Sequence, residues 1–226
     1  FDESVRVGSF SQMEKMPFRA AHPAPLKASA APLPLPASAD AASFASRLRW
    51  RVDGSSYTLD DYLARQRTMG LMIIKNGEVL VERYQYDRKP EHRFLSNSMA
   101  KSIASLAFGY ALQEGLLTTL DVRADSLEPA LKGTLYGEAT VRQLLRMSSG
   151  VRYTELYDGR DDHARFMQVA ASRGIASAAK GIDVREAPAG ERFKYASSET
   201  VILSQVFQAV AKQDIASYIS TRLWQP

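Results

Sequence analysis

The sequence predicts an α+β protein, in which a β-hairpin comes first and mostly helices follow. An Asn-Gly pair at 76–77 separates two apolar runs within residues 70–84, a pattern typical of two strands joined by a tight turn. Beyond residue 97, apolar residues recur at helical spacing, and Thr140 with Gln143 matches a helix capping box. The 226 residues are enough for one large domain or two small ones, each with its own core.

The composition is that of a globular protein and excludes several kinds of site. Apolar residues make up 45% and charged residues 24%, with a formal net charge of +4. The chain has no cysteine, which excludes disulfides, thiolate metal ligands and a cysteine nucleophile. Only three histidines are present, so we expect neither a metal nor a cofactor.

Composition also limits the partners. No block of lysine and arginine with interleaved aromatics occurs, so we do not expect nucleic acid binding. The longest nearly neutral stretch, residues 94–113, holds four Ser, one Asn, one Lys and one Gln and is too polar to span a membrane. The absence of cysteine suits an exported, periplasmic protein as well as a cytoplasmic one, and the oligomeric state is left open.

The first elements form an extension and a sheet region. Alanine, proline and serine dominate residues 20–43, so we expect residues 1–47 to be an N-terminal extension, either extended or a loose linker. Residues 48–96 are then the N-terminal part of the sheet region, with a short helix over 58–67 before the hairpin. The strands of 70–84 are too apolar for an isolated ribbon, so we expect them in a covered sheet.

Residues 97–226 are predicted to be mostly helical. A helix from Asn97 to Glu114 ends at Gly115, which suits the residue after a helix C-cap. The further predicted elements are helices at 140–147, 166–173 and 199–212, a turn at 188–190, and a last element at 215–224.

The chemistry is carried by Ser-x-x-Lys, which occurs as Ser98 with Lys101 and again as Ser177 with Lys180. The G-x-S-x-G, G-x-G-x-x-G and Walker A patterns do not occur. Residues three apart share one face of a helix, so either pair can bring a hydroxyl near an amine. Arg173 and other charges near the second pair suggest that Lys180 is a solvated residue or a helix end.

The surroundings of Lys101 favour the first pair. Lys101 is the only charged residue in 94–113, and its helix is apolar on all sides, which predicts a buried helix. A lysine there is costly unless it is used, because burial disfavours the charged amine. The alternative is a side chain that extends along the surface to reach solvent.

Two further groups complete the candidate chemistry. Ser98 begins its helix, where the free N–H groups and the helix dipole favour negative charge, although a plain N-cap hydroxyl is the alternative. Tyr195, in Tyr195-Ala196-Ser197, opens a second apolar helix. A phenol near a lysine loses its proton more easily, and the alternative for Tyr195 is a buried, hydrogen-bonded aromatic.

In this order, the segments RFLSNSMAKSIASLAFGYALQEGLL, ATVRQLLRMSSGVRY and APAGERFKYASSETVILSQVF resemble the serine β-lactamase and penicillin-recognising superfamily. The likeness is greatest to its class C-like branch, which includes esterases and 6-aminohexanoate-dimer hydrolase, and it covers residues 70–226. It implies a β-lactamase/transpeptidase-like fold, in which an antiparallel sheet packs with helices beside an all-helical region.

The resemblance also implies roles for individual residues. Ser98 would be the acyl-accepting nucleophile, Lys101 its proton acceptor, and Tyr195 the group that assists proton transfer to the leaving group. The oxyanion hole would use the backbone N–H of Ser98 and one from a late strand. Ser197 stands where β-lactamases usually have asparagine, which fits amide and ester hydrolases better. Tyr157 would line the acyl site, with a surface-loop aromatic as the alternative.

The family's third motif and the late strands of its sheet have no counterpart in this sequence, so the sheet is incomplete. We therefore expect this chain to be the N-terminal part of a longer protein, with its C-terminal remainder bound beside it. The predicted function is hydrolysis of a small amide or ester through an acyl-enzyme on Ser98. The alternatives are a β-lactamase or D-alanyl-D-alanine carboxypeptidase, and a non-catalytic binding relative.

Overall fold

The computed structural model describes residues 4–13 and 34–225. Residues 14–33, which include most of the stretch at 20–43 that is rich in alanine, proline and serine, therefore lie outside the described residues. The described parts of the predicted extension, residues 4–13 and 34–47, contain two short helices, so they are not extended chain throughout. The described residues divide into two compact units, one that ends at Ser96 and one that runs from Asn97.

The first unit contains short helices and two hairpins. Its elements are α1 (Arg6–Ser11), α2 (Ala41–Arg47), β1 (Arg49–Val52), β2 (Ser55–Thr58), α3 (Leu59–Arg65), β3 (Gly70–Lys75) and β4 (Glu78–Tyr84). β1 pairs with β2 and β3 with β4, both antiparallel.

The predicted hairpin and the helix before it are confirmed. Asn76 and Gly77 both have positive φ, at 52° and 80°, as the tight turn between β3 and β4 requires. α3 begins with the capping box of Thr58 and Asp61, in which each side chain binds the other residue's backbone N–H.

In the described part of the chain the sheet is incomplete, as expected, and it is covered on one face. β3 and β4 form a two-stranded sheet there, and the apolar side chains of Met72 and Ile74 are exposed. The opposite face packs Val81 against Leu59 and Leu63 of α3. One covered face is enough to order this hairpin, because the helix takes the place of further strands.

The second unit is helical. Its elements are α4 (Met99–Gln113), α5 (Ala124–Leu127), a 3₁₀ turn (Pro129–Leu131), α6 (Leu135–Glu138), α7 (Val141–Leu145), α8 (Asp162–Arg173), α9 (Ile175–Lys180), α10 (Ser197–Ala211), α11 (Ile215–Ile219) and a π-helical turn (Ser220–Trp224). α10 packs against several of these helices, α4 and α7 among them.

Aromatic rings hold the centre of this unit together. The ring of Phe207 in α10 lies 5.2 Å from that of Phe108 in α4 and 4.9 Å from that of Tyr218 in α11, in both cases edge to face. The three side chains are inaccessible to solvent or nearly so. This cluster fixes α4 and α10, the two helices whose N-terminal ends lie at the candidate chemistry.

The expectation that α4 is buried on all sides is wrong. Its buried residues are Ala107, Phe108 and Ala111, whereas Met99 is 69% and Leu106 47% exposed, and Lys101 is half-buried. When apolar residues lie on every face of a helix, the sequence does not show which face packs against the core. In α4 the core covers the face that carries Ala107, Phe108 and Ala111. In the part of the chain that the structure describes, no helix has the length and apolar character needed to cross a membrane.

Candidate active site

Ser98 stands at the N-cap of α4 without capping the helix. Its side chain makes no hydrogen bond to the backbone of the first turn. The residue before it, Asn97, has a φ of 45°, a left-handed conformation that asparagine tolerates better than most residues. The sharp turn at Asn97 presents the exposed Ser98 at the helix N-terminus, where backbone N–H groups favour negative charge.

Two side chains converge on the hydroxyl of Ser98. Nζ of Lys101, one helical turn along α4, donates to Oγ of Ser98 over 2.9 Å. The phenol of Tyr195, nearly a hundred residues away in sequence, donates to the same oxygen over 2.6 Å. Oγ of Ser98 therefore accepts hydrogen bonds from two groups that can carry a proton.

Lys101 and Tyr195 also interact with each other. Nζ of Lys101 lies 5.2 Å from the ring centroid of Tyr195, within range of a cation–π contact. Burial raises the pKa of the Tyr195 phenol, but its hydrogen bond with Ser98 and the neighbouring Lys101 outweigh burial, and the net pKa is below the ordinary value for tyrosine. This phenol therefore gives up its proton more readily than a free tyrosine does.

Backbone contacts position the segment that carries Tyr195. The N–H of Gly190 donates to the carbonyl of Ser148, and the N–H of Lys194 donates to that of Met147. The amide of Gln143, in the capping box of α7, donates to the carbonyl of Ala189 over 3.0 Å. α7 and the turn that follows it thus hold the predicted turn at 188–190 directly before Tyr195.

Glu155 is a site residue that sequence reasoning missed. Its Oε1 accepts from the hydroxyls of Ser197 and Tyr157, each over 2.5 Å, and its Oε2 accepts from the backbone N–H of Ser197 over 2.8 Å. Burial raises the pKa of Glu155, but these hydrogen bonds outweigh burial and hold the net pKa below its usual range. An ionised carboxylate thus joins a loop to the first turn of α10.

Asp161 orders the loop that carries Glu155 and Tyr157. Its buried carboxylate accepts from the backbone N–H groups of Leu156, Tyr157 and Ala164, the last as the N-cap of α8. Tyr157 has a φ of 59° in this tight turn. Its ring is half exposed, as the surface-loop alternative supposed, but the hydrogen bond to Glu155 raises the pKa of its phenol to about 12.

All five predicted site residues therefore lie in one region of the second unit. Ser98, Lys101 and Tyr195 are joined directly, and Ser197 and Tyr157 are joined through Glu155. The hydroxyl of Ser197 also helps to lower the pKa of Tyr195, which links the two groups.

The second Ser-x-x-Lys lies elsewhere on the surface. Ser177 and Lys180 are both exposed, and Lys180 ends α9, as expected for a solvated helix end. No group of three or more His, Asp or Glu residues that could hold a metal is found among the described residues.

Beneath the site, the first turn of α10 carries a buried polar layer. The hydroxyl of Ser149 donates to Oε1 of Glu199 over 2.7 Å, and the hydroxyls of Tyr136 and Ser198 are 2.6 Å apart. Glu199 is 2% exposed, and its Oε2 has no hydrogen-bond partner. Burial outweighs the bonds from Ser149 and raises the pKa of Glu199 to about 8, so this group is a neutral acid at pH 7.

Comparison with known proteins identifies similar chains. A family model described as Beta-lactamase matches residues 58–226. The 6-aminohexanoate-dimer hydrolase of Paenarthrobacter ureafaciens is 25% identical over 174 residues, which cover 74% of this chain and 44% of that relative. This chain therefore spans less than half of the length of that curated relative.

Solved structures share the fold. A Bacillus anthracis protein, provisionally described as a 6-aminohexanoate-dimer hydrolase, superposes with a TM-score of 0.83 at 20% identity, over 99% of this chain and 60% of that one. A penicillin-binding protein homologue from Pyrococcus abyssi, described as octameric, gives a TM-score of 0.53 at 22% identity, over 73% and 40% of the two chains. The predicted β-lactamase/transpeptidase-like fold is therefore confirmed.

Proposed function

This chain belongs to the Beta-lactamase family of hydrolases, and on that premise we propose that it carries the nucleophile of a serine hydrolase that cleaves small amides or esters. The observation that carries the proposal is the pair of hydrogen bonds from Lys101 and Tyr195 to Oγ of Ser98. A serine hydroxyl is a weak nucleophile until a neighbouring base takes its proton. Here both neighbours are in contact with the hydroxyl before any substrate binds.

The first half of the reaction forms an acyl-enzyme. Oγ of Ser98 attacks the carbonyl carbon of the substrate while its proton passes to the amine of Lys101, which reacts in its neutral form and becomes an ammonium. The phenol of Tyr195 gives its proton to the leaving nitrogen or oxygen, and the ammonium of Lys101 then returns a proton to the phenolate. The carbon–nitrogen or carbon–oxygen bond breaks, and an ester on Ser98 remains.

The second half regenerates the enzyme. Water attacks the ester carbon and gives one proton to the neutral amine of Lys101. As the bond between the ester carbon and Oγ of Ser98 breaks and the acid product leaves, the phenol of Tyr195 gives its proton to Oγ, and the ammonium of Lys101 returns a proton to the phenolate. The backbone N–H of Ser98, at the N-terminus of α4, is suited to stabilise the oxyanion formed in each half. The lowered pKa of Tyr195 supports a phenol that exchanges protons twice in each turnover.

Small amides and esters are the proposed substrate class. The curated relative is named for the hydrolysis of 6-aminohexanoate dimer, a linear amide. Ser197 stands where β-lactamases usually have asparagine, and its hydroxyl is bound to the carboxylate of Glu155. The serine at this position supports the proposal that β-lactams are not the preferred substrates.

The test compares Ser98→Ala with Ser177→Ala, which alters the exposed serine of the other Ser-x-x-Lys pair. We expect Ser98→Ala to lose about a thousandfold or more in turnover of 6-aminohexanoate dimer or p-nitrophenyl acetate. Ser177→Ala should leave turnover unchanged. Intact-mass measurement should detect an acyl adduct in the unaltered protein and in Ser177→Ala, but not in Ser98→Ala.

Other outcomes identify the alternatives. A stable penicillin adduct on Ser98 with slow ester turnover would replace the proposal with a β-lactamase or peptidase. Equal turnover by the two serine variants would exclude Ser98 as the nucleophile. No turnover and no labelling of Ser98 by a fluorophosphonate would indicate a non-catalytic binding relative.

A further inference from the structure

An ionic clamp precedes Tyr195 in the chain. Oε1 of Glu186 accepts from Nη2 of Arg192 over 2.5 Å and from Nζ of Lys194 over 2.9 Å. Because one oxygen binds both cations, the side chains of Arg192 and Lys194 must point to the same side of the segment. The backbone is fixed as well, since the N–H of Lys194 donates to the carbonyl of Met147.

Phe193 lies between the two clamped residues. Residues 192–196 have no helical turn, and the shared contact of Arg192 and Lys194 together with the extended Ala196 fits backbone in which successive side chains point to opposite sides. Phe193 therefore points away from the clamp, on the same side as Tyr195. The phenol of Tyr195 reaches Oγ of Ser98, so this side of the segment is the side of the candidate nucleophile.

The ring of Phe193 is nonetheless open to solvent. It is 68% exposed, although most large apolar side chains in this part of the chain pack into the core. Exposed large apolar side chains beside a reactive group are a recurrent feature of ligand contacts, because covering them with an apolar ligand is favourable. The clamp holds the residues on either side of Phe193, which reduces the backbone entropy lost on binding.

We infer that Phe193 is a specificity-determining residue, whose ring packs against an apolar carbon chain of the substrate that is attached to the reacting carbonyl. The inference rests on the proposed function, since it assigns a substrate class to the same site. Glu186 acts on specificity through Arg192 and Lys194 and is a positioning residue. The favoured substrates are thus esters or amides of straight-chain acids rather than of acetic acid.

The test measures kcat/KM for p-nitrophenyl esters from acetate to octanoate. We expect kcat/KM to rise with chain length in the unaltered protein, by up to about fourfold for each methylene that Phe193 covers. Phe193→Ala should flatten this rise, so that its loss in kcat/KM relative to the unaltered protein grows with chain length. Phe193→Leu should retain part of the rise, because leucine keeps an apolar side chain at this position.

Two more variants make the result specific. Met167→Ala, which removes another exposed apolar side chain from α8, should leave the dependence on chain length unchanged. Glu186→Gln weakens the clamp without removing the ring, so it should reduce the rise, but by less than Phe193→Ala does.

An unchanged rise in Phe193→Ala, with acetate still hydrolysed through Ser98, would overturn the inference and leave the proposed function standing. A parallel loss on every ester would assign Phe193 a structural role and would also overturn it. Hydrolysis of acetate that is insensitive to Ser98→Ala would instead overturn the proposed function.

Discussion

At the scale of the residue, the role of Ser98 is decided by its partners rather than by its place in the helix. A serine at an N-cap ordinarily binds a backbone N–H of the first turn, which stabilises the helix by about 1 kcal/mol. Ser98 forgoes that bond, and its hydroxyl meets Lys101 and Tyr195 instead. A stabilising contact is thus given up in favour of a polar cluster, as is common at functional sites.

The carboxylate of Glu155 holds the loop and the first turn of α10 together. Glu155→Gln puts an amide NH₂ where one carboxylate oxygen now accepts from the backbone or the hydroxyl of Ser197. Because hydrogen bonds to a charged group contribute about 1.5–3 kcal/mol, we expect turnover of the ester and amide substrates to fall roughly tenfold or more. Steady-state kinetics on purified protein measure this change.

The control for Glu155→Gln is Glu191→Gln, which neutralises an exposed glutamate of the turn before Tyr195. Its turnover should match that of the unaltered protein. Equal turnover by Glu155→Gln would show that the loop and the first turn of α10 keep their arrangement without the charge.

At the scale of the element, close backbone approaches fix the turns around α7. Gly150 has a φ of 79°, and a Cβ atom there would lie 2.0 Å from the carbonyl oxygen of Ala187. The close approach of Gly150 and Ala187 holds the loop after α7 against the segment that precedes Tyr195. No larger residue fits without moving one of the two backbones.

Gly150→Ala is therefore expected to destabilise the protein by about 2 kcal/mol or more, because positive φ and a backbone clash act together. Gly109→Ala is the matched control: Gly109 is exposed inside α4, and a Cβ there meets nothing within 4 Å. That change should stabilise α4 by about 0.5–1 kcal/mol. Urea unfolding followed by circular dichroism measures both free energies, and equal effects of the two changes would contradict the close approach.

Local signals in the sequence predicted elements well wherever the chain carried a clear start, stop or turn signal. α4, α7 and the β3–β4 hairpin all have such signals, in Gly115, in the capping box of Thr140 and in the Asn-Gly turn at 76–77. The β1–β2 hairpin was missed, although Asp53 and Gly54 carry the same kind of turn signal. Four-residue strands give little alternation to detect, so the turn alone marks this hairpin.

At the scale of the whole molecule, the sequence could predict the candidate cluster only in part. The spacing of Ser98 and Lys101 follows from one helical turn, whereas the arrival of Tyr195 follows from how α4 and α10 pack, which periodicity does not encode. The family resemblance supplied that link. Glu155 had no such signal, because an acidic residue in a loop has no pattern until the fold brings Ser197 to it.

The buried acid Glu199 couples the stability of the second unit to pH. Its pKa is raised to about 8 by burial, whereas an unfolded glutamate titrates near its ordinary value of about 4.3. Between these values the unfolded chain ionises Glu199 while the folded protein keeps it protonated, so the free energy of unfolding falls as pH rises. The stabilisation is complete below about pH 4 and is lost once pH passes about 8.

Glu199→Gln should abolish this part of the pH dependence. Glutamine has the shape of the protonated acid, and its carbonyl oxygen can still accept from the hydroxyl of Ser149. Relative to the variant, the unaltered protein should lose up to about 1.4 kcal/mol of unfolding free energy for each pH unit from about 5 to 8. Urea unfolding at pH 5, 6.5 and 8 measures the difference, with Glu191→Gln as the exposed control. Parallel curves for Glu199→Gln and the unaltered protein would mean that Glu199 is ionised in the folded state throughout, and that the polar layer beneath the site solvates its charge.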